Sequence, residues 1–193
     1  MTTARVLRWA RLLCAVVGCA VFAGYAAASA DAPRSLPVSN ASATVVQPQP
    51  RPDSCHARGT GLFSLPDPRC TPGAVNPAVT QADISSTICR RGYTEKIRPP
   101  ESVTEPEKKA SLAAYGDTEP LHEYEYDHLV PLELGGAVND PRNLWPEPGA
   151  SPNPKDALED RLRSMVCDRE LTLAAARAAI ATNWVSAYRR LVR

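Results

Sequence analysis

Beyond Pro154, apolar residues recur with the period of an α-helix: Leu158, Leu162, Met165 and Val166 share one face of residues 155–167. A second stripe, Leu173, Ile180, Trp184, Tyr188 and Leu191, runs along residues 172–191 and leaves Arg177, Arg189, Arg190 and Arg193 outside it. Upstream, punctuation speaks more clearly than periodicity. Thr80 can cap a helix over 81–89 that stops at Gly92, and Thr104 can cap another that opens with Glu105, Pro106 and Glu107 and stops at Gly116. Residues 94–98 read as a short extended piece before Pro99-Pro100. Strand character appears at Tyr124 to Val130 and again at Asn143 to Trp145, with Gly135-Gly136 turning the chain between them as a hairpin. This order of elements predicts a small α+β domain.

Toward the N-terminus the pattern dissolves. Residues 54–79 are rich in turn formers, among them Gly59, Gly61, Pro66, Pro68, Pro72 and Gly73, and predict an irregular segment. Residues 31–53 carry Pro, Ser, Ala, Gln and Val without periodicity, and are expected to form a disordered linker. The first 30 residues place Arg5, Arg8 and Arg11 ahead of an apolar run that ends in Ala28-Ser29-Ala30, the layout of a cleaved secretory signal rather than a stable membrane span. Cys19, after Val16-Val17-Gly18, offers a lipid-bearing position as the alternative. The ordered domain is thus expected over residues 80–193, in one core.

Export changes the meaning of the cysteines. Loss of residues 1–30 leaves four of the six, Cys55, Cys70, Cys89 and Cys167, and an even number in an exported chain predicts disulfides. Of three connectivities, Cys55–Cys70 with Cys89–Cys167 is preferred, since the first closes the Pro/Gly-rich segment and the second ties two predicted helices. Zinc held by cysteine is disfavoured, because no Cys-x-x-Cys pair survives cleavage. Cleavage also removes three Arg and no acid, leaving 19 basic against 21 acidic residues, a formal charge of −2. Any anion must then be bound by a local patch or a metal rather than by the field of the whole protein.

Candidate chemistry concentrates in Tyr124 to Pro146. Asp127 and His128 end a strand that Pro131 and Gly135-Gly136 break, which lets two residues that would otherwise face opposite ways share one site. Hydrolysis of a phosphodiester needs a base that is neutral near pH 7, which His supplies, and a hard cation on oxygen ligands to meet the developing negative charge. Asp-His-Leu-Val-Pro, then Gly-Gly, Asn143-Leu144, and Asn153-Pro-Lys-Asp opening a helix, together resemble the HNH branch of the His-Me finger (ββα-metal) nucleases. The resemblance covers residues 122–167. It implies a ββα-metal finger among the helices, with His128 as general base, Asp127 as a metal ligand, Asn143 bracing the loop and Asn153 as the second ligand, Asp156 or Glu159 being alternatives to Asn153. It implies one divalent cation, Mg²⁺ or else Mn²⁺ or Zn²⁺, and DNA or RNA as substrate for an exported, monomeric endonuclease. An immunity or inhibitor partner is left open.

Each residue also has a plainer reading. Asn143 can serve as a turn residue after Asp140-Pro141, Glu133 as an exposed hairpin residue, and Lys155 as a surface charge at a helix start, with phosphate contact as its functional alternative. Arg90, Arg91, Lys96 and Arg98 are expected on a solvated face, His56 and His122 at the surface, and Trp145 and Trp184 in the core. The rival function is a secreted binding or structural module that keeps the HNH-like scaffold without catalysis.

Overall fold

In the computed structural model, residues 43–193 are described. The predicted signal segment, Cys19 and linker residues 31–42 lie outside them. The two C-terminal helices form where the apolar period placed them. Helix α3, Pro154–Cys167, starts from a capping box in which Asn153 Oδ1 accepts the N–H groups of Lys155 (2.8 Å) and Asp156 (3.3 Å). It buries Leu158, Leu162 and Val166. Helix α4, Leu173–Leu191, is capped by Thr172, whose hydroxyl accepts from the Ala175 N–H at 3.2 Å. It kinks at Asn183 (φ −165°, ψ 88°), and the Asn183 side chain caps the final stretch of the helix by accepting the Ser186 N–H at 2.8 Å. The two helices pack on each other through Leu158, Leu162, Leu173, Ala176, Ile180 and Trp184, all 0–2 % exposed.

Two antiparallel strands complete the frame. Strand β1, Tyr124–His128, pairs with β2, Leu144–Pro148, in a register that sets Asp127 opposite Trp145 and His128 opposite Leu144. The architecture is a small α+β fold, four helices with one two-stranded sheet among the described residues. β1 is shorter than the predicted strand and β2 begins one residue later. The connection over 129–143 is no tight hairpin: it holds a single 3₁₀ turn, Leu132–Leu134, and sends Leu129, Val130 and Leu134 into the core beneath α3 and α4. Gly135 takes φ 70°, and a Cβ on Gly136 would stand 1.7 Å from the Val130 carbonyl oxygen, so both glycines are required by the path of the chain.

Upstream, four expectations change. Residues 81–89 form consecutive turns instead of a helix, because Thr80, Ser86 and Thr87 spend their hydroxyls on Asp83, at 2.5 Å to its carboxylate and 3.0 and 2.7 Å to its carbonyl. Residues 93–97 form a short helix, α1, entered through Gly92 in the left-handed region, where an extended piece was predicted. Helix α2 spans Glu101–Tyr115 and starts directly after Pro100, so that Thr104 and Pro106 lie inside it; its end at Gly116 (φ 70°) is as predicted. Residues 43–53 do not float free. Asp53 and Cys55 donate backbone N–H groups to the Ala113 and Ala114 carbonyls at 2.9 Å, and Gln47 N–H reaches Glu107 on α2.

Both predicted disulfides are present. Cys55–Cys70 closes a 15-residue separation beside Tyr115 and Trp145, and Cys89–Cys167 spans 78 residues to fix the 81–89 turns to the end of α3. Trp145 and Trp184 are fully buried, as expected, and Trp184 Nε1 donates to the Ser64 carbonyl at 3.0 Å. No helix of the described residues is long and apolar enough to cross a membrane.

Candidate functional site

The site forms where β1 ends and the 129–143 connection leaves it. Asn143, fully buried, closes the connection on itself: its Oδ1 accepts the Val130 N–H at 2.9 Å while its Nδ2 donates to the carbonyls of Val130 (2.9 Å) and Ala137 (3.1 Å). A carboxylate cannot donate and an aliphatic side chain can do neither, so this place needs an amide. From outside, Arg177 on α4 donates to the carbonyls of Leu134 (2.7 Å), Gly135 (3.2 Å) and Val79 (3.0 Å). The helical stripe left Arg177 outside, where it is instead a second brace.

Within this frame His128 is held by one nitrogen. Its Nε2 lies 2.9 Å from the Val138 carbonyl oxygen, which can only accept, so the neutral ring carries its proton on Nε2 and leaves the Nδ1 lone pair free. Burial pushes the imidazole down to about 4, against the opposing pull of Val138 and Asp127, so the ring is neutral near pH 7. His128 is 7 % exposed and borders a cavity of about 200 Å³.

Asp127, 8 % exposed, is engaged elsewhere. Its Oδ2 accepts from Lys155 Nζ at 2.5 Å, and the same ammonium donates to the His128 carbonyl at 2.9 Å and to Glu159, with Glu147 at 4.0 Å. Lys155 is 1 % exposed: it is the buried cation of a carboxylate cluster and not a surface charge. A trace existed in the sequence, since Lys155 continues the stripe of Leu158, Leu162 and Val166 back by one turn. Burial alone would lower the ammonium's pKa, but the pull of Asp127, Glu159 and Glu147 wins and raises it. Burial pushes Asp127 up, and Lys155 together with a hydrogen bond from Glu147 outweighs it, holding the carboxyl below its ordinary range. Glu147 and Glu159 go the other way, raised by burial and by the neighbouring Asp127 charge.

The cavity wall is strongly acidic. Glu125, Asp127, Glu133, Asp156, Glu159 and Asp160 line it with His128, and Arg98 is the cation among the lining residues. Burial raises Glu125 to about 7, helped by Asp127 and Asp156, and raises Glu133 to about 7, helped by Asp160. Glu133, with a side chain 21 % exposed, is therefore a wall residue rather than an exposed hairpin residue. Arg90, Arg91, Lys96 and Arg98 are exposed, as expected, and Arg98, directly after α1, also lines the cavity. Glu125, which sequence reasoning passed over, shares the rim: it faces Asn153 Nδ2 at 3.4 Å. His56 and His122 stand at the surface as expected.

Neither a family model, nor a curated protein, nor a solved structure matches this chain.

The donor set can be tested against a metal on its own chemistry. Asn153, expected as the second ligand, is not among the residues lining the cavity: its oxygen is turned into the helix as the cap and its amide nitrogen toward Glu125. Asp156 Oδ2 accepts the Asn153 N–H and the Ser151 hydroxyl, both at 2.8 Å. Among the described residues no three His, Cys, Asp or Glu side chains gather at metal-binding spacing, as a zinc site requires. A Mg²⁺-class ion asks less, since it binds through one or two carboxylates and keeps several waters. Glu125 and Asp127, two residues apart on β1, both line the cavity and offer that number of carboxylates, while Asp127 Oδ2 and Glu159 already receive the Lys155 ammonium; Glu125 and Glu159 are raised chiefly by burial.

Proposed function

We propose that this chain is an exported metal-dependent nuclease or phosphodiesterase of HNH-like, ββα-metal finger design. The observation that carries the reading is His128: a buried, neutral imidazole with Nε2 fixed on Val138, its Nδ1 free, on the wall of a polar cavity. Such a group can take a proton from water at neutral pH. Asn143 keeps the loop behind it closed, and Asp127, with a neighbouring carboxylate, would hold one hydrated Mg²⁺-class ion. That ion, when bound, supplies countercharge for the phosphate oxygens and the departing alkoxide. Arg98, the cation among the lining residues, is the side chain suited to contact the phosphate. The two disulfides and the signal-like first 30 residues support an exported location. Nucleic acid, DNA or RNA, is the substrate class, approached without help from net charge.

Purified mature protein incubated with plasmid DNA and with RNA, with and without Mg²⁺ or Mn²⁺, tests this. The expected result is ion-dependent cleavage lost in His128→Ala and reduced in Arg98→Ala. Absence of cleavage by the wild type, or equal cleavage by His128→Ala, refutes it. One observation favours the rival, a non-catalytic module: Lys155 already neutralises Asp127, the residue expected to attract the ion.

A further inference from the structure

The stretch from Val45 to Gln49 precedes the first disulfide and takes no part in either apolar cluster. It is nonetheless fixed to the domain by two hydrogen bonds with buried partners. The Gln47 N–H donates to Glu107 Oε1 at 2.6 Å, and the Val45 carbonyl accepts from Asn139 Nδ2 at 2.9 Å. Glu107 on α2 and Asn139 in the 129–143 connection are each 1 % exposed. Val45 and Val46 are 55 % and 48 % exposed, so the segment is held by polar contacts and not by burial of its apolar side chains.

Asn139 directly follows Val138, whose carbonyl receives His128 Nε2. On the other side of Val138, Ala137 is anchored twice: its N–H donates to the Ala74 carbonyl at 2.9 Å and its own carbonyl accepts from Asn143 at 3.1 Å. The peptide that orients the histidine thus hangs between two anchors. Residues 74 and 143 make one. On the other flank the Val45 carbonyl holds the Asn139 side chain, and one residue further on the Asp140 carbonyl accepts the Asn143 N–H at 2.8 Å. With Ala137 and Asp140 both fixed, the torsions of Val138 and Asn139 are what is left to turn the carbonyl, and the contact at Asn139 limits them.

We propose that residues Val45 to Gln49, acting through Glu107 and Asn139, form a positioning strap that holds the Val138 carbonyl on His128 and thereby keeps the ring in the tautomer with Nδ1 free. The role follows from imidazole chemistry: one proton is shared by two nitrogens, and the partner of one decides the state of the other. Release of the carbonyl lets the proton occupy Nδ1, where it blocks the base. The strap's importance for turnover rests on His128 being that base, but its effect on the ring does not.

The test uses the full chain with Gln47→Pro, which removes the donating N–H, Glu107→Ala, which removes the acceptor, and Glu107→Gln, which keeps an acceptor oxygen. Ring ¹⁵N shifts of His128 at neutral pH report the tautomer, and plasmid cleavage reports kcat and KM. The wild type and Glu107→Gln are expected to hold the proton on Nε2. Gln47→Pro and Glu107→Ala are expected to show mixed tautomers, with kcat lower by about tenfold and KM nearly unchanged. Wild-type tautomer in both disrupted variants overturns the strap, whatever their melting temperatures. If Glu107→Ala does not fold, Gln47→Pro decides alone. If the wild type cleaves nothing, the nuclease reading fails while the ring shifts still decide the strap.

Discussion

Replacing Lys155 by Met removes the ammonium from the carboxylate cluster while keeping a stem of similar length in the space between α3 and β1. Three contacts disappear, to Asp127, to Glu159 and to the His128 carbonyl. Removing one member of a buried ion pair costs about 3–5 kcal/mol, because the remaining charge is left without a partner. Glu147 and Glu159 are already raised, so the stranded charge is chiefly Asp127 and the lower end, about 3 kcal/mol, applies. In a domain of this size that lowers Tm by roughly 10 °C. The pH dependence follows in sign. In the wild type the Asp127 pKa lies below its ordinary value of 3.8, so its contribution is present above that value and lost as pH falls through the folded pKa. Without Lys155 the folded pKa rises above 3.8, and stability is lost as pH climbs through it. The gap between variant and wild type is therefore small at about pH 4 and full at about pH 8. Calorimetric Tm values across that range measure it, and Asp127→Asn added to Lys155→Met should recover most of the loss at the alkaline end. A gap that does not change with pH, or a double variant no more stable than the single one, refutes the account.

Asn143→Ala leaves the Val130 N–H and two carbonyls without partners in a dry place, and is expected to cost about 3 kcal/mol in urea unfolding, with loss of any His128-dependent activity. Glu133, raised from 4.5 to about 7 by burial, contributes its stability below 4.5 and loses it as pH rises through 7. Glu133→Gln should therefore match the wild type near pH 5 and exceed it by about 2 kcal/mol near pH 8, read as Tm. Loop entropy ranks the disulfides: removing Cys89–Cys167, separated by 78 residues, should cost about 4.5 kcal/mol against about 3 kcal/mol for Cys55–Cys70, separated by 15. Guanidinium unfolding of the paired Cys→Ser variants checks the order.

The legible parts of this chain are those governed by short range. The period of Leu158, Leu162 and Val166 and the stripe from Leu173 to Leu191 specify α3 and α4, since burial of one helical face leaves its mark every three or four residues. Gly116 marks a helix end, because caps act within a turn. The spacing of four cysteines, two around a turn-rich loop and two far apart, was enough to choose their pairing. The Asp127-His128, Gly135-Gly136 and Asn143 segment was legible as a loop closed at both ends, though not as the long connection it is.

What only the tertiary structure decided is the set of distant partners, and the reassignments of Lys155, Arg177 and Glu133 have that origin. Lys155 reads as a solvent charge until α3 packs on β1 and its ammonium finds Asp127 and Glu159. Arg98 and Glu125 become wall residues through the ends of α1 and β1 meeting at one cavity, and Glu107 and Asn139 give a Pro-rich lead a place to dock. Local sequence carries propensities and caps, which act over a few residues. A side chain's charge state and hydrogen-bond partner depend on groups tens of residues away, and those are set only when the chain has packed.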